Sequence, residues 1–535
     1  MRSVFAYGFF AFLLVAVGGI SMMWFFQAYH GKNALQQAIA ELNQPQTVIS
    51  YEAIETSGFP NQVIISLVKP RFSGRIDQWL AQNPHMAPLG IAAGMPAWQL
   101  ESQLQGRIDF SVNIFSSRYM LALRGDSETT SELDGERITM RSQSQGDTLC
   151  QLELKRDYAA FTQLWNFNPF PADAQALRDQ FRLLDCAYPG GKTVSVKDGT
   201  WLSQSGPLRI YLSSQPQAEQ LSARLYLTMV DSEISPAGDA VLRALHAAPM
   251  AAYGKQNLTL DMSYGGPKSW QGSSPSATPF NFTLSQLNVR NQLYQLTLSG
   301  LASNALAGTQ RTSKLSFSSE ANFTQAYDER MKESTQELIV QLYTHPAPEL
   351  QPLQAQLATL DPGQLADALK PALPQLHSLG KINGIIDIEA TTQQGSPQGS
   401  YALKNLQLAG TPYGIAAQGR AQMAGTPFPQ GELGLSCRNC LQMVDDFGNY
   451  YQRVKMAALA MNTDWGSAFT QTPAMFDVYK QLLKDLGRAD AAQPSTLLFQ
   501  LASDGAGGIS LNGKNAASVM EMYNQRMAPV LLGKP

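Results

Sequence analysis

Apolar and polar residues alternate one by one along most of this chain, and that period of two commits it to β-strands. Val63, Ile65 and Leu67 fall on one side of such a strand, while Ile64, Ser66 and Val68 fall on the other. Ile108, Phe110, Val112 and Ile114 alternate with Asp109, Ser111 and Asn113. The pattern returns at Tyr119, Leu121 and Leu123, at Cys150, Leu152 and Leu154, and at Leu208, Ile210 and Leu212. It continues through Leu225 and Leu227, Leu258 to Met262, Phe280 to Leu284, and Leu287 to Leu298. Segments of this kind are half-buried strands separated by turn residues. The connections are too short for parallel crossovers, so the strands are expected to run antiparallel. A sheet with one apolar face must cover it with helices, with a second sheet or with an apolar ligand.

Helical periodicity is sparser. Ala326 to Tyr343 places Tyr327, Met331, Leu338 and Leu342 near one face, and Leu350 to Leu360 and Leu365 to Leu379 follow, the last broken by Pro371 and Pro374. Asp157 to Trp165 and Asp173 to Cys186 suggest a smaller insert. Gly265 to Pro279 is rich in Gly, Ser and Pro and reads as a loop. Strands resume at Ile382 to Ala390 and Tyr401 to Leu408. Leu497 to Gly513 reads as a hairpin turned at Asp504 to Gly508, and Ala517 to Met527 as a final helix.

The run Val4 to Phe26 stands apart as an unbroken stretch of uncharged, mostly apolar residues. At about 1.5 Å per helical residue it is long enough for a hydrocarbon core of roughly 30 Å. A cleaved signal would have a shorter apolar stretch and small residues at its end, where this chain has Met22, Met23, Trp24, Phe25 and Phe26. The expectation is a retained anchor, with Phe9, Phe12 and Leu13 in lipid and Trp24 in the aromatic belt at the exit interface. The basic residues near the run, Arg2, His30 and Lys32, set its orientation only weakly. The expected plan is an anchor over 1–32 and an antiparallel β region over 33–324, with a small helical insert near 157–186. A helical insert over 325–380 follows, then a C-terminal β region over 381–535 with its closing hairpin and helix. The fold class is mainly β with helical inserts, an elongated, twisted antiparallel sheet after one transmembrane helix.

Four cysteines are an even, sparse set, as suits an oxidising compartment such as a bacterial periplasm. Cys437 and Cys440 form a C-x-x-C, and Cys150 and Cys186 stand far apart in sequence; each set closes on itself, or the two sets pair with one another. Cys437-Arg438-Asn439-Cys440 lies between a strand-like Glu432 to Ser436 and a helical Leu441 to Val454. That order suits a redox thiolate at a helix N-terminus and equally suits a disulfide that pins the helix entry. Four-thiol zinc binding lacks the ligand spacing. Charged residues make up 15% of the chain and the net charge is −3, which argues against nucleic acid as a partner. Gly508 to Asn515 nearly matches a phosphate-binding loop, but Asn515 stands where a hydroxyl should, and Ile509, Ser510 and Leu511 alternate like a strand. Arg124-Gly125-Asp126 reads as a turn. His30, His85, His246, His345 and His377 are scattered, and no nucleophile, acid–base pair, metal site or cofactor motif emerges.

Behind the apolar run come Val48 to Ile54, then Ser57-Gly58-Phe59-Pro60, then Gln62 to Phe72. Together with the ending Gly508 to Lys514 and its Met-bearing helix, these motifs resemble the inner-membrane-anchored periplasmic proteins of proteobacteria grouped around YdgA, and the wider AsmA-like superfamily. The helical insert around Tyr327 to Tyr343 also sits where that group has one, while the cysteine pairs and the long Pro-broken helical stretch depart from that pattern. The resemblance implies a twisted antiparallel sheet reaching into the periplasm, with no catalytic residues, and larger AsmA-like relatives are implicated in moving phospholipid along an apolar groove. The resulting expectation is a non-enzymatic envelope protein that binds or conveys lipid on a β-groove lined by Val63, Ile65, Leu67, Phe110 and Val112. The same residues read equally well as core covered by the helices of 157–186 and 325–380. Two rival expectations are a homodimerising scaffold for envelope integrity or motility, recruited through an exposed edge strand, and a periplasmic thiol-redox protein using Cys437 and Cys440.

Overall fold

The structure, a computed structural model, describes residues 17, 21–22, 24–37, 39–40, 43, 47–60, 62–75, 78, 98–113, 118–133, 135–154, 181–216, 220–244, 254–267, 279–333, 367, 370, 375–393, 398–460 and 473–531. The chain divides into two units, Met1–Thr259 and Leu260–Pro535. Among the described residues no helix is long and apolar enough to cross a membrane. Phe9, Phe12 and Leu13, with most of the apolar run, lie outside the described residues.

Among the described residues the first unit is built from eight long runs. They are β1 (Thr47–Ser50) with β2 (Ala53–Ser57), β3 (Gln62–Val68) with β4 (Arg71–Arg75), β5 (Trp98–Leu104) with β6 (Arg107–Asn113), and β7 (Arg118–Arg124) with β8 (Ser127–Leu133). Then come β9 (Glu136–Ser144) with β10 (Thr148–Leu154), β11 (Phe181–Tyr188) with β12 (Gly191–Ser195), β13 (Trp201–Ser205) with β14 (Leu208–Pro216), and the single long β15 (Gln220–Ile234). The two strands of a run do not pair with each other. One leaf of the sheet runs β2-β3-β6-β7-β10-β11-β14-β15. The other runs β1-β4-β5-β8-β9-β12-β13-β15. Every pairing is antiparallel; each of the first seven runs gives one strand to each leaf in the same order, and the single strand β15 joins both.

A crease separates the leaves. Every second run crosses it through a left-handed residue: Lys69 (φ 46°), Gly125 (φ 102°), Gly190 (φ 106°) and Asp231 (φ 51°). The backbone ladder continues through the bend, with the Lys69 N–H donating to the Gly106 carbonyl at 2.8 Å and the Gln105 N–H to the Asp126 carbonyl at 2.7 Å. The neighbouring run must come very close there. A Cβ on Gly106 would lie 1.7 Å from the Arg124 carbonyl oxygen. The crease is thus a row of local kinks of the sort that bulges and glycines make. Arg124-Gly125-Asp126 is one of them, a kink inside a run rather than the turn expected from its composition. Its Arg124 faces Asp109 and Asp147 at 3.1 and 3.3 Å.

One leaf has an apolar face and the other is largely Ser and Thr. In the first, cross-strand partners give rows such as Ile65-Phe110-Leu121-Cys150-Cys186-Ile210-Leu227. In the second, Ser102 bonds Thr129, Thr130 bonds Thr139 and Ser142 bonds Thr193, each at 3.0 Å. Such hydroxyl pairs hold strands together without an apolar face to bury.

At one end the apolar leaf is covered. Residues 24–37 are helical, and Trp24, Ala28 and Ile39 pack on Ile54, Val63, Ile65 and Leu67, with Leu35, Ile49, Ile108 and Tyr119 around them. The Trp24 indole N–H donates to the Gln62 carbonyl at 2.8 Å. Burial pushes the Tyr119 phenol up to about 12. Two expectations are corrected here. Val63 has no exposed surface and Ile65 and Leu67 are buried, so these residues are core and not an open groove. Trp24 is only 8% exposed, so it anchors the helix to the sheet instead of standing in a lipid-facing belt. Among the described residues the cover is the helix over 24–37; residues 155–180 and 334–366 lie outside them. Phe110 stays exposed on this face beyond the helix, and Val112 stands opposite Val63 in register. The insert expected near 157–186 is strand over 181–186, because those residues alternate and pair with β10; residues 155–180 lie outside the described residues. Helix α1 (Pro236–Ala244) closes the unit beside β13, where Gly238 sits against the Leu202 carbonyl.

Strand β16 (Gly254–Pro267) spans the division between the units, and takes in Gly265 to Pro267, which the sequence assigns to a loop. In the second unit β17 (Phe280–Arg290), β18 (Tyr294–Ala307), β19 (Gln310–Phe323), β20 (Lys381–Gln393), β21 (Gly399–Ala409), β22 (Gly414–Met423) and β23 (Gln430–Arg438) pair in sequence order, all antiparallel. Beyond β23 lie β24 (Arg488–Ala489), β25 (Thr496–Asp504), β26 (Ile509–Leu511) and β27 (Lys514–Asn515). β25 pairs with β23, and its far edge is capped by the short β24 and β26, a common protection for an exposed edge. Helices α2 (Cys440–Ala460), α3 (Pro473–Leu486) and α4 (Ala516–Leu531) complete the unit.

The helical insert expected over 325–380 is helical where it is described, at 325–333 and in the 3-10 turn Leu376–Leu379. Its two ends are clasped together. Asp328, buried at the first end, accepts the Leu376 and His377 N–H groups at 2.8 and 3.2 Å and bonds the His377 ring.

Candidate functional site

Directly opposed residues of antiparallel strands share a face, so the registers of the second unit define its two surfaces. One row reads Phe282-Ala302-Leu315-Ile388-Leu403-Gly419-Leu433-Leu501. The next is Leu284-Gly300-Phe317-Ile386-Leu406-Ala417-Leu435-Phe499. A third carries Leu408, Ile415, Cys437 and Leu497. Bulges at Leu284/Leu287 and Leu403/Leu406 add residues without breaking this facing. Gly300 lets the Phe317 ring lie flat on the sheet, since a Cβ there would reach to 2.2 Å from that ring.

The helices cover one end of this apolar face. Leu441 and Met443 of α2 and Leu483 and Leu486 of α3 pack around Cys437, Cys440, Leu497 and Phe499. The Phe476 ring, seated against Gly448, holds α3 to α2. Away from them, among the described residues, no helix packs on the face: Leu315, Leu406 and Leu501 are partly exposed, and Leu408 is 58% exposed. Two apolar hollows lie along it. One of about 360 Å³ is lined by Ile388, Tyr401, Leu403, Leu433 and Leu501. The other, of about 300 Å³, is lined by Phe280, Ala302, Leu315 and Ile388. They meet at Ile388, so together they form one apolar lane.

The opposite face holds a larger cleft of about 1000 Å³. Its lining mixes Asn405, Gln418, Ser436 and Gln500 with the charged Lys404, Arg420 and Glu432, and reaches Leu403, Leu435 and Phe499 of the apolar rows. Arg420 and Glu432 are directly opposed there in register.

The cysteines fall into pairs at disulfide distance within each set, Cys150 with Cys186 and Cys437 with Cys440. The first pair joins opposed residues of β10 and β11. The second joins the end of β23 to the first residue of α2. The strand and helix expected around the C-x-x-C are both present. The intervening pair is a clamp: Arg438 donates to the Gly410 and Tyr413 carbonyls at 2.6 and 3.1 Å, and the Asn439 amide to the Pro412 carbonyl at 2.5 Å. Asn439 takes the left-handed turn that starts the helix (φ 54°). Cys437 and Cys440 are 3% and 4% exposed, whereas exchange needs a thiolate that a partner can reach. Glutathione buffers should therefore leave Cys437–Cys440 closed in the folded protein, and thiol titration should find it reducible only after denaturant is added. Ready exchange in the native state would return the redox reading.

Gly508 to Asn515 forms β26 and β27 rather than a phosphate loop. The Ala506 and Gly508 N–H groups donate to Asp504 at 2.8 and 2.9 Å, and those two bonds hold its carboxyl below the usual carboxylate range. Among the described residues no group of three or more His, Cys, Asp or Glu could hold a metal ion. His377 is taken up by Asp328, His30 stacks on Phe26 at 4.1 Å, and His85, His246 and His345 lie outside the described residues.

What the fold and the site define is a mainly β protein of open antiparallel sheet, with a partly exposed apolar lane among the described residues of its second unit. No protein-family model, curated protein or solved structure matches the chain.

Proposed function

We propose that the protein is a non-enzymatic component of a bacterial envelope, tethered to the inner membrane by the run Val4 to Phe26, with its bulk in the periplasm. In this reading it holds the acyl chain of a phospholipid, or an equally apolar envelope component, on the lane of its second unit. The observation that carries the reading is the stretch of aligned apolar rows from Leu315 to Leu501, which no helix covers among the described residues, with Leu406 and Leu408 exposed beside it. From β19 through β20, β21, β22 and β23 to β25, at about 4.8 Å per step, it spans roughly 24 Å, close to the roughly 20 Å of an extended sixteen-carbon chain. Each buried methylene contributes about 0.8 kcal/mol, so half of such a chain gains roughly 6 kcal/mol without any polar contact. A soluble monomer seldom leaves so continuous an apolar surface without a use for it.

The test is a photoreactive benzophenone side chain placed at Leu403 or, on the opposite face, at Gln418. Irradiation of membranes should attach lipid at Leu403 and not at Gln418. Equal labelling, or none at either position, would overturn the reading.

A further inference from the structure

We infer that the Ser57–Pro60 turn is a second membrane contact, seated in the headgroup–acyl boundary of a phospholipid bilayer beside the helix that leads out of it. The inference rests on the tethered reading of Val4 to Phe26 and is independent of the lane.

The helix over 24–37 has two unlike sides. Trp24, Gln27 and Ala28 are buried against the sheet. Met22, Phe25, Phe26 and Tyr29 point away from it, Phe25 with 66% of its surface exposed. After Tyr29 the exposed positions turn polar, at Asn33, Gln36 and Gln37. An apolar face that becomes an amide face within about one turn marks the level at which lipid gives way to water. The apolar side of that level continues directly into the run Val4 to Phe26, which names the occupant as a bilayer.

The helix carries part of the sheet down with it. The Phe59 ring lies edge-on to Trp24, with centroids 5.7 Å apart, yet is 52% exposed. Trp24 precedes Tyr29 by five residues, or roughly 7 Å along the helix axis. Phe59 therefore sits at a depth typical of side chains buried about 5–10 Å into an interface. Because the Trp24 indole also bonds the Gln62 carbonyl, the turn and the helix move as one body, and no free linker separates the membrane from the first strands.

The experiment uses the full chain in liposomes of phosphatidylethanolamine and phosphatidylglycerol. Nitroxide labels are placed singly at Phe25, Phe59 and Gln36, and their collision rates with oxygen and with a water-soluble nickel complex are compared. Oxygen should dominate at Phe25 and Phe59, and nickel at Gln36. If Phe59 behaves like Gln36 while Phe25 remains lipid-facing, this inference fails and the tether stands. If Phe25 is water-facing too, the tether itself fails. A photoactivatable phospholipid on the unsubstituted chain gives a second reading, free of any folding defect: the peptide containing Phe59 is labelled, or the inference is wrong.

Discussion

Gly106→Val is expected to abolish folding of the first unit. The new Cβ would stand 1.7 Å from the Arg124 carbonyl oxygen, 2.7 Å from its carbonyl carbon and 3.0 Å from the Gly125 Cα. All three are backbone atoms, and no rotamer change relieves them. The only escape is for the β5/β6 run to part from the β7/β8 run at the crease, which breaks the Gln105-to-Asp126 bond and the β6–β7 and β5–β8 ladders on either side. The cost is roughly 4 kcal/mol or more, a large share of an ordinary domain's stability. Limited proteolysis read by mass spectrometry should show cleavage throughout β3 to β10, with fragments of the second unit still resistant. Gly135→Val serves as the control, since nothing lies within 4 Å of a Cβ there; its left-handed backbone (φ 85°) should cost only about 1–2 kcal/mol. A stable, protease-resistant Gly106→Val protein would refute the crease.

The second large effect is expected on the lane. Leu403 and Leu433 flank Gly419 in one row and both line the larger hollow. Leu403→Glu combined with Leu433→Glu places two carboxylates where an acyl chain would lie. Each would have to lose water or bar the chain, at a cost of roughly 1–3 kcal/mol apiece. Lipid retained through purification should fall at least tenfold, while circular dichroism stays unchanged because both positions are only half-buried. Gln418→Glu with Gln500→Glu, a matched pair on the other face, should leave retention as it is.

These two sites differ in how far the sequence discloses them. The alternation at Val63 to Leu67 and Ile108 to Val112 identifies strands and their apolar side, because side chains on a pleated strand must alternate. It does not say what covers that side. Among the described residues the cover is the helix over 24–37, which overlaps the end of the apolar run and whose Trp24 has a lipid-facing reading on hydrophobicity alone. The polar stretch between Leu123 and Cys150 concealed β8 and β9, since Ser, Thr and Glu strands with hydroxyl pairs carry no hydrophobic signal. The crease was hidden for a similar reason: Gln105-Gly106, Gly125-Asp126 and Gln145-Gly146 look like ordinary hairpin turns, and only pairing reveals that the strands on either side belong to different leaves. The lane is a property of register across non-adjacent stretches such as Leu315, Ile388 and Leu501, which a linear reading cannot align. Cys437 to Cys440, by contrast, was legible as a strand-to-helix junction; the clamp by Arg438 and Asn439 depends on a turn some 25 residues earlier.

The most direct measurement is native mass spectrometry of the full chain, purified from membranes in mild detergent, beside its Leu403→Glu/Leu433→Glu variant. The account predicts adducts at phospholipid mass on the unsubstituted protein, lost from the variant and kept by Gln418→Glu/Gln500→Glu. A protein that flies at its bare mass, or a variant that keeps its adducts, would contradict the claim that the open face of the second sheet shelters lipid.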